Sequence, residues 1–463
     1  MKMASIEWGL PAGVAVLGTV FLVLVFTHGR MPDLLERTPS MDRPASGAET
    51  GAGVDLSGVL TPGNGNAMPV EGGWPGFRGG RGGVSGEGTV LARSWGENGP
   101  PVLWSKSMGE GYAGAAVWKG RVYVMDYDQP AQRDVLRCLS LADGQEIWSR
   151  SYPNKVKRNH GMSRTVPAVN DEWVVALGPK CHVTCSHAVT GAHGWGLDLV
   201  RQFKTKTPPW YAGQCPLIDG GNVILAPGGG DVLMMAVELA AGREIWRTPN
   251  PRGWQMTHSS VAVVEYEGEK MYVYCASDGV AGVSAADGRI LWDTTEWKVS
   301  IATVPSPVPC GEGRIFFSGG YDSGSLMMQL SRKEGKYEAA PLYRLDAAVF
   351  GATMQTPIFF GGCLYGVAPD GRMVCLGLDG RRKWDSGTSR FGSGPFLIAD
   401  GLILALNDTG ILSAMEARAD AFKLVAQKRI LNGHDAWGPL AISGGLLLAR
   451  DLTTLVCVDL REK

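Results

Sequence analysis

The sequence predicts an all-β chain closed into an eight-bladed β-propeller of four-stranded blades, and three observations predict it. A motif ending in tryptophan recurs every 40 to 50 residues or so, the spacing that four strands per blade require. Alternating strand pairs with a glycine turn stand ahead of the copies, as in AAVWKGRVYVMD (115–126) and LIADGLILALNDTG (397–410). A tryptophan strand at 100–107, PPVLWSKS, has no unit before it, while the last unit stops short of its tryptophan.

The chain opens with an apolar run. From Trp8 to Gly29 there is no acidic or basic residue, and Leu10 to Phe26 is almost wholly apolar, long enough to span a bilayer as a helix. No small-residue cleavage site follows Phe26, and no cysteine precedes Cys138, so the run reads as an uncleaved anchor with residues 9–27 in the membrane. Lys2 before the run and Arg30, Arg37 and Arg43 after it argue for a cytoplasmic body by the charge rule; export is expected only from the resemblance given below. Residues 31–72 are rich in Gly, Pro, Ser and Thr and predict a disordered linker. Residues 73–99, beginning WPGFRGGRGGVSGEG, predict an extended arm packed on the body.

Each full copy of the repeat has a small residue six places before a glycine and a tryptophan four places after it. The copies are CLSLADGQEIW to Trp148, CSHAVTGAHGW to Trp195, AVELAAGREIW to Trp246 and GVSAADGRILW to Trp292; a shortened copy, CLGLDGRRKW, ends at Trp384. The glycine supplies the positive φ of a hairpin turn, and the tryptophan falls in the strand beyond it. Degenerate copies fill 329–344 and 414–427. Ring closure by Val102–Lys106, carrying Trp104, completes the eighth blade and leaves no open sheet edge.

Net charge is −1, with 44 basic and 45 acidic residues, which argues against nucleic acid as a partner. None of the nine cysteines is adjacent to another or spaced Cys-x-x-Cys. Cys181-His182-x-x-Cys185-x-His187 has the look of a metal cluster. Yet Cys138, Cys185, Ala236 and Gly282 share one repeat position, joined by Cys375 and Cys457 through strand pattern. A position that accepts Cys, Ala or Gly wants a small buried group, so core packing is expected and no metal.

The small-x5-Gly-x3-Trp pattern resembles the tryptophan-docking repeat of quinoprotein dehydrogenases. Over roughly 95 to 463 the chain is identified as a member of the pyrroloquinoline-quinone-like repeat family, which includes the BamB-like propeller lipoprotein of outer-membrane assembly. The resemblance implies the fold, and three readings of function. A quinone-dependent alcohol dehydrogenase would carry pyrroloquinoline quinone and calcium, with a vicinal disulfide over the quinone; this chain has no Cys-Cys pair, though Asp322, Asp435 or Asn159 could serve as ligands. An assembly-type propeller would be tethered by a lipidated cysteine, absent here. The expected reading is a non-catalytic binding module with no cofactor, membrane-tethered with the propeller exported to the periplasmic or envelope side, and binding a protein or a small anionic ligand.

The loops before each blade's first strand should converge on the channel mouth. There the sequence places Tyr112, Arg164, Trp210, Tyr211, Gln214, His258, Ser306, Gln355, Arg390, His434, Asp435 and Trp437, with His258 and His434 placed to titrate near neutral pH. Two basic clusters, Lys155, Lys157, Arg158 and Arg164, then Arg201, Lys204 and Lys206, should meet on the same face.

Overall fold

The computed structural model describes Thr19 and residues 53–462. Contacts separate Met1–Ala52 from Gly53–Lys463, and the second unit is the propeller. Apart from Thr19, the expected anchor at Leu10–Phe26 lies outside the described residues; among the described residues no helix is long and apolar enough to cross a membrane.

Eight antiparallel sheets surround the axis. Blades 1 to 7 span residues 115–153, 168–198, 217–249, 262–294, 308–345, 358–385 and 396–429. Blade 8 combines residues 441–459 with Val102–Ser107, which pairs with Thr454–Asp459 as its outermost strand. Trp104 there faces Cys457, so the ring closes as the sequence requires. The first strands of neighbouring blades touch one another and line the channel.

The tryptophans are the mortar between blades. Trp104 of blade 8 lies on the hairpin glycine of blade 1: a Cβ on Gly144, whose φ is +70°, would stand 2.7 Å from the ring. Its Nε1 donates to Leu141 O at 2.9 Å. Trp148 sits likewise on Gly191 and Trp195 on Gly242, donating to Ala188 O and Leu239 O at 3.2 and 2.8 Å. Trp246 lies on Gly288. Trp384 donates to Arg418 O across to blade 7 at 2.8 Å. In the degenerate fifth blade Tyr343 takes the tryptophan's place and packs on Gly380. Blade 5 also has a long hairpin, Gly324–Lys333 to Lys336–Leu345, with no such glycine under Trp292; that ring turns back over Gly282 and donates to Met271 Sδ at 3.3 Å.

The small repeat position is the one directly across the ladder from the tryptophan. Cys138 faces Trp148, Cys185 faces Trp195, Ala236 faces Trp246, Gly282 faces Trp292 and Cys375 faces Trp384. A large side chain there would collide with the indole. All nine cysteines are buried and unpaired. Cys181 is on a left-handed turn with its sulfur 3.8 Å from Met256 Sδ, whereas Cys185 points to Leu239 O, so the two do not converge. Among the described residues no group of His, Cys, Asp and Glu could hold a metal.

Two local departures have simple causes. The body, which shows no helical periodicity, contains one five-residue helix, Leu199–Phe203, capped by the Asp198 carboxylate accepting from Arg201 N. Residues 53–72, expected to belong to the disordered linker, lie on the propeller. Leu56 is buried, the Arg150 guanidinium donates to Ser57 O, and Val59–Pro62 pairs antiparallel with 148–151 on the outer edge of blade 1. An exposed edge offers main-chain hydrogen bonds to almost any extended segment, so poverty in apolar residues did not keep this one free.

The following residues run beneath and into the channel. Gly73–Trp74 pairs with Val117 and Trp118 of blade 1, and Val169 N of blade 2 donates to Pro75 O. The chain then crosses to the opposite wall, where Ser85 N and Ile398 O of blade 7 bond at 2.7 Å. It leaves past the strand-one turns of blades 7 and 8, where Leu91 N donates to Asp400 and Glu87 accepts from Gly444 N.

A candidate ligand cup on the propeller axis

Every first strand begins on the face opposite the arm, and the residues before it form two layers. The deeper layer is a girdle of main-chain donors and small side chains. Val166 N donates to Cys215 Sγ, Cys215 N to Ser260 Oγ, Ser260 N to Ser306 Oγ and Ser306 N to Thr356 Oγ1, at 3.2, 2.9, 2.9 and 3.0 Å. Equivalent positions of blades 2 to 6 are thereby stitched in series. Each link satisfies a donor that has no partner in its own sheet.

Above and inside this girdle lies a cavity of about 370 Å³ whose lining includes Trp74, Phe77, Arg78, Tyr112, His160, Arg164, Trp210, His258, Gln355 and Trp437. The arm supplies its floor; Ala302, Val304, Ile358, Phe396, Pro439 and Leu440 complete apolar walls. The channel is thus a cup, closed below and open above.

At the rim the side chains hold one another. The Tyr112 and Trp437 rings are 5.2 Å apart, and the Arg164 guanidinium lies 5.0 Å from the Tyr112 ring centre. Tyr112 Oη donates to His160 O at 2.9 Å and approaches Asp435 Oδ2 at 3.4 Å. Burial first, then the Asp435 charge, pushes its phenol up to about 12. Arg164 donates through Nε to Trp210 O and through Nη2 to Asn159 O and Gly161 O. Burial lowers its guanidinium to about 10, and it remains charged at neutral pH. Tyr211 Oη donates to Lys157 O at 2.7 Å. These bonds join loop 154–164 to Trp210 and Tyr211, while Lys155, Lys157, Arg158, Arg201, Lys204 and Lys206 are exposed. Arg158 is paired with Glu110 at 2.6 Å.

Of the twelve mouth residues, Tyr112, Arg164, Trp210, His258, Gln355 and Trp437 line the cup. The other six do not. Gln214 is buried, exchanging hydrogen bonds with Ala226 N and O, and Ser306 is a girdle link. Both were polar because backbone ends needed partners. Tyr211 is a loop clasp. Arg390 folds back on Gly387 O and Ser389 O and lines a separate recess between blades 6 and 7. His434 projects into solvent, and Asp435 stands behind Tyr112. His258 is also corrected as a titrating group: burial, helped by the Arg164 charge, lowers it to about 4, so it is neutral throughout the physiological range.

Sequence reasoning missed the floor. Trp74, Phe77 and Arg78 are far in sequence from the walls they complete, and only their setting, aromatic and cationic side chains embedded among glycines, sets them apart.

No curated protein matches the sequence. Among solved structures, BamB from Moraxella catarrhalis is similar at 12% identity and TM-score 0.53, covering 78% of this chain and 99% of that one. A europium-containing methanol dehydrogenase is similar at 13% identity and TM-score 0.58, covering 84% of this chain and 89% of that one. At such identities the likeness shows the shared propeller fold. The family described as outer membrane protein assembly factor BamB, a pyrroloquinoline-quinone-like repeat family, matches residues 131–386. That span is more than half of the chain and contains five of the six repeat tryptophans, and this chain belongs to that family.

Proposed function

We propose that the protein is a non-catalytic binding module that takes a small anionic molecule with an apolar, aromatic body into the axial cup. The observation that carries this reading is the lining: aromatic and aliphatic walls, two arginines, and no carboxylate among the cup residues. Such a site attracts an anion and desolvates its body, as small-molecule sites do. His258, neutral at working pH, and a cup without a carboxylate offer no evident acid–base pair, which supports binding over catalysis.

The calcium–quinone pair of the quinoprotein dehydrogenases does not fit this donor set. Calcium needs six to eight oxygen ligands, carboxylates prominent among them. The cup's one side-chain amide, Gln355, donates its Nε2 to Ser393 O.

A second reading, docking of a protein on the mouth face, is favoured by exposed Ile301, Tyr321 and Met354 on loops around the cup. We further propose that residues 9–27 tether the propeller to a membrane, supported by the apolar run Leu10–Phe26, and that the propeller lies on the exported side, supported by its family, described as an outer membrane protein assembly factor. Protease protection of the propeller in intact cells, lost on opening the envelope, is the result expected; digestion in cytosol-exposed preparations alone overturns it.

Native mass spectrometry of protein purified without denaturant tests the cup. An adduct that accompanies the wild type and is absent from Tyr112→Ala and Trp437→Ala variants of unchanged melting temperature is expected. Retention of the adduct by both variants overturns the reading.

A further inference from the structure

Two arginines reach the cup, and they are engaged very differently. Arg164 is occupied in joining loops: three hydrogen bonds go to main-chain carbonyls, and its face lies over Tyr112. Arg78 stands at the apex of the arm, where the chain turns inside the channel. Its Nη2 donates to Pro357 O at 2.8 Å and to Gly82 O, while Nη1 is buried with no hydrogen-bond partner. No carboxylate pairs with it among the described residues, and burial alone lowers its guanidinium to about 9.

The backbone at this point is just as unusual. Arg78 has φ +61°, the left-handed region that glycine occupies freely and other residues rarely. Gly79 and Gly80 follow in the same conformation. A glycine at 78 would relieve strain, yet the position carries a long cation that lines the cavity. Strain retained at one residue, together with an unsatisfied buried donor, is the pattern of a preorganised binding group. The mount is rigid on both sides, held by Gly73–Trp74 on blade 1 and by Ser85 on blade 7.

We propose that Arg78 is the anion receptor of the cup: it binds the carboxylate, sulfonate or phosphate end of the ligand at the floor, with the aromatic body held above it by Phe77, Trp74 and Trp437. This rests on the cup being the ligand site. It makes the arm part of the binding site and makes charge selectivity a property of one residue contributed from outside the blades. Arg164 then shapes the mouth without being the principal anion contact.

Two fluorogenic dyes with nearly the same aromatic body separate the possibilities: 8-anilinonaphthalene-1-sulfonate and its uncharged counterpart N-phenyl-1-naphthylamine. The full-length wild type is expected to prefer the sulfonate by about tenfold or more, the size of one charge-assisted hydrogen-bonded contact. Arg78→Gly should abolish that preference, leave the neutral dye's affinity within about twofold, and keep or raise the melting temperature, because the strain is gone. Arg78→Lys should restore part of the preference. An undiminished preference in Arg78→Gly overturns the proposal while leaving the cup reading intact. If the wild type binds neither dye, or if Tyr112→Ala and Trp437→Ala bind both unchanged, the cup reading itself fails.

Discussion

Replacing Gly144 by alanine tests the idea that tryptophan docking on hairpin glycines holds the blades together. At φ +70° an alanine costs about 1 kcal/mol of backbone strain. Its Cβ would stand 2.7 Å from Cδ2 and Cε3 of Trp104, a distance real Cβ atoms do not sustain, so the indole must move. Overpacking of this kind costs about 1–3 kcal/mol. Displacement also endangers the Trp104 Nε1 bond to Leu141 O, worth about 1 kcal/mol. The expected loss is about 3–5 kcal/mol, concentrated where blade 8 meets blade 1. Gly268→Ala is the matched control, since its φ is +78° and a Cβ there meets nothing within 4 Å; about 1 kcal/mol is expected. Urea titration followed by tryptophan fluorescence reads both. Equal losses in the two variants would refute docking as the source of cohesion.

Other consequences are as direct. Asp134 is buried, accepts from Tyr152 Oη and Asn154 Nδ2 at 2.7 Å each, and is raised by burial to about 7. Its stabilising contribution is therefore whole below about pH 4 and lost as pH rises to about 7; Asp134→Asn should melt higher relative to wild type as pH climbs through that window, by at most about 4 kcal/mol, and a pH-independent difference would contradict this. Arg450, 1% exposed, donates to Gly109 O, Ala113 O and Met125 O across the blade 8–blade 1 seam. Arg450→Met should cost about 3–5 kcal/mol in thermal unfolding, and a neutral result would show the seam does not need it. With every thiol buried and most pushed well above their ordinary range, the native protein should leave a thiol reagent unconsumed until denaturant is added. Because His258 is neutral, binding in the cup between pH 5 and 8 should have the same pH dependence in His258→Gln as in the wild type; a midpoint in that interval that the variant loses would contradict the burial assigned to His258.

The blades were legible because the repeat couples two residues through geometry: a tryptophan needs a small partner across the ladder and a glycine in the next blade. That coupling survives in sequence as fixed spacing in the full copies; in the fifth blade, where Tyr343 replaces the indole and faces Met327, the spacing is lost. Strand 102–107 could be assigned to blade 8 for the same reason. The cup was half legible. Position before a first strand placed Tyr112, Arg164, Trp210, His258, Gln355 and Trp437 on the axis, but did not say which polar groups face it. Gln214 and Ser306 are polar for the backbone's sake, and a residue type that caps a strand end is the same type that greets a ligand. That an arm beginning at Trp74 packs on the body was legible; that it floors the channel was not, because Arg78 meets Pro357 across 279 residues with no periodic pattern to announce it.

The closure of this ring sets an order on biosynthesis. Strand 102–107 is made early, but its ladder partner Thr454–Asp459 is the last strand of the propeller to be made. Glu87 and Leu91 wait as long for Gly444 and Asp400. Through most of translation the early segment is an orphan edge beside a growing, open stack of blades, and such long-range pairing makes folding slow and exposes strand edges to aggregation. The nascent propeller therefore needs shelter until Thr454–Asp459 appears. Deleting Thr454–Asp459 should leave a product far less soluble than the intact propeller, read as the soluble fraction after expression.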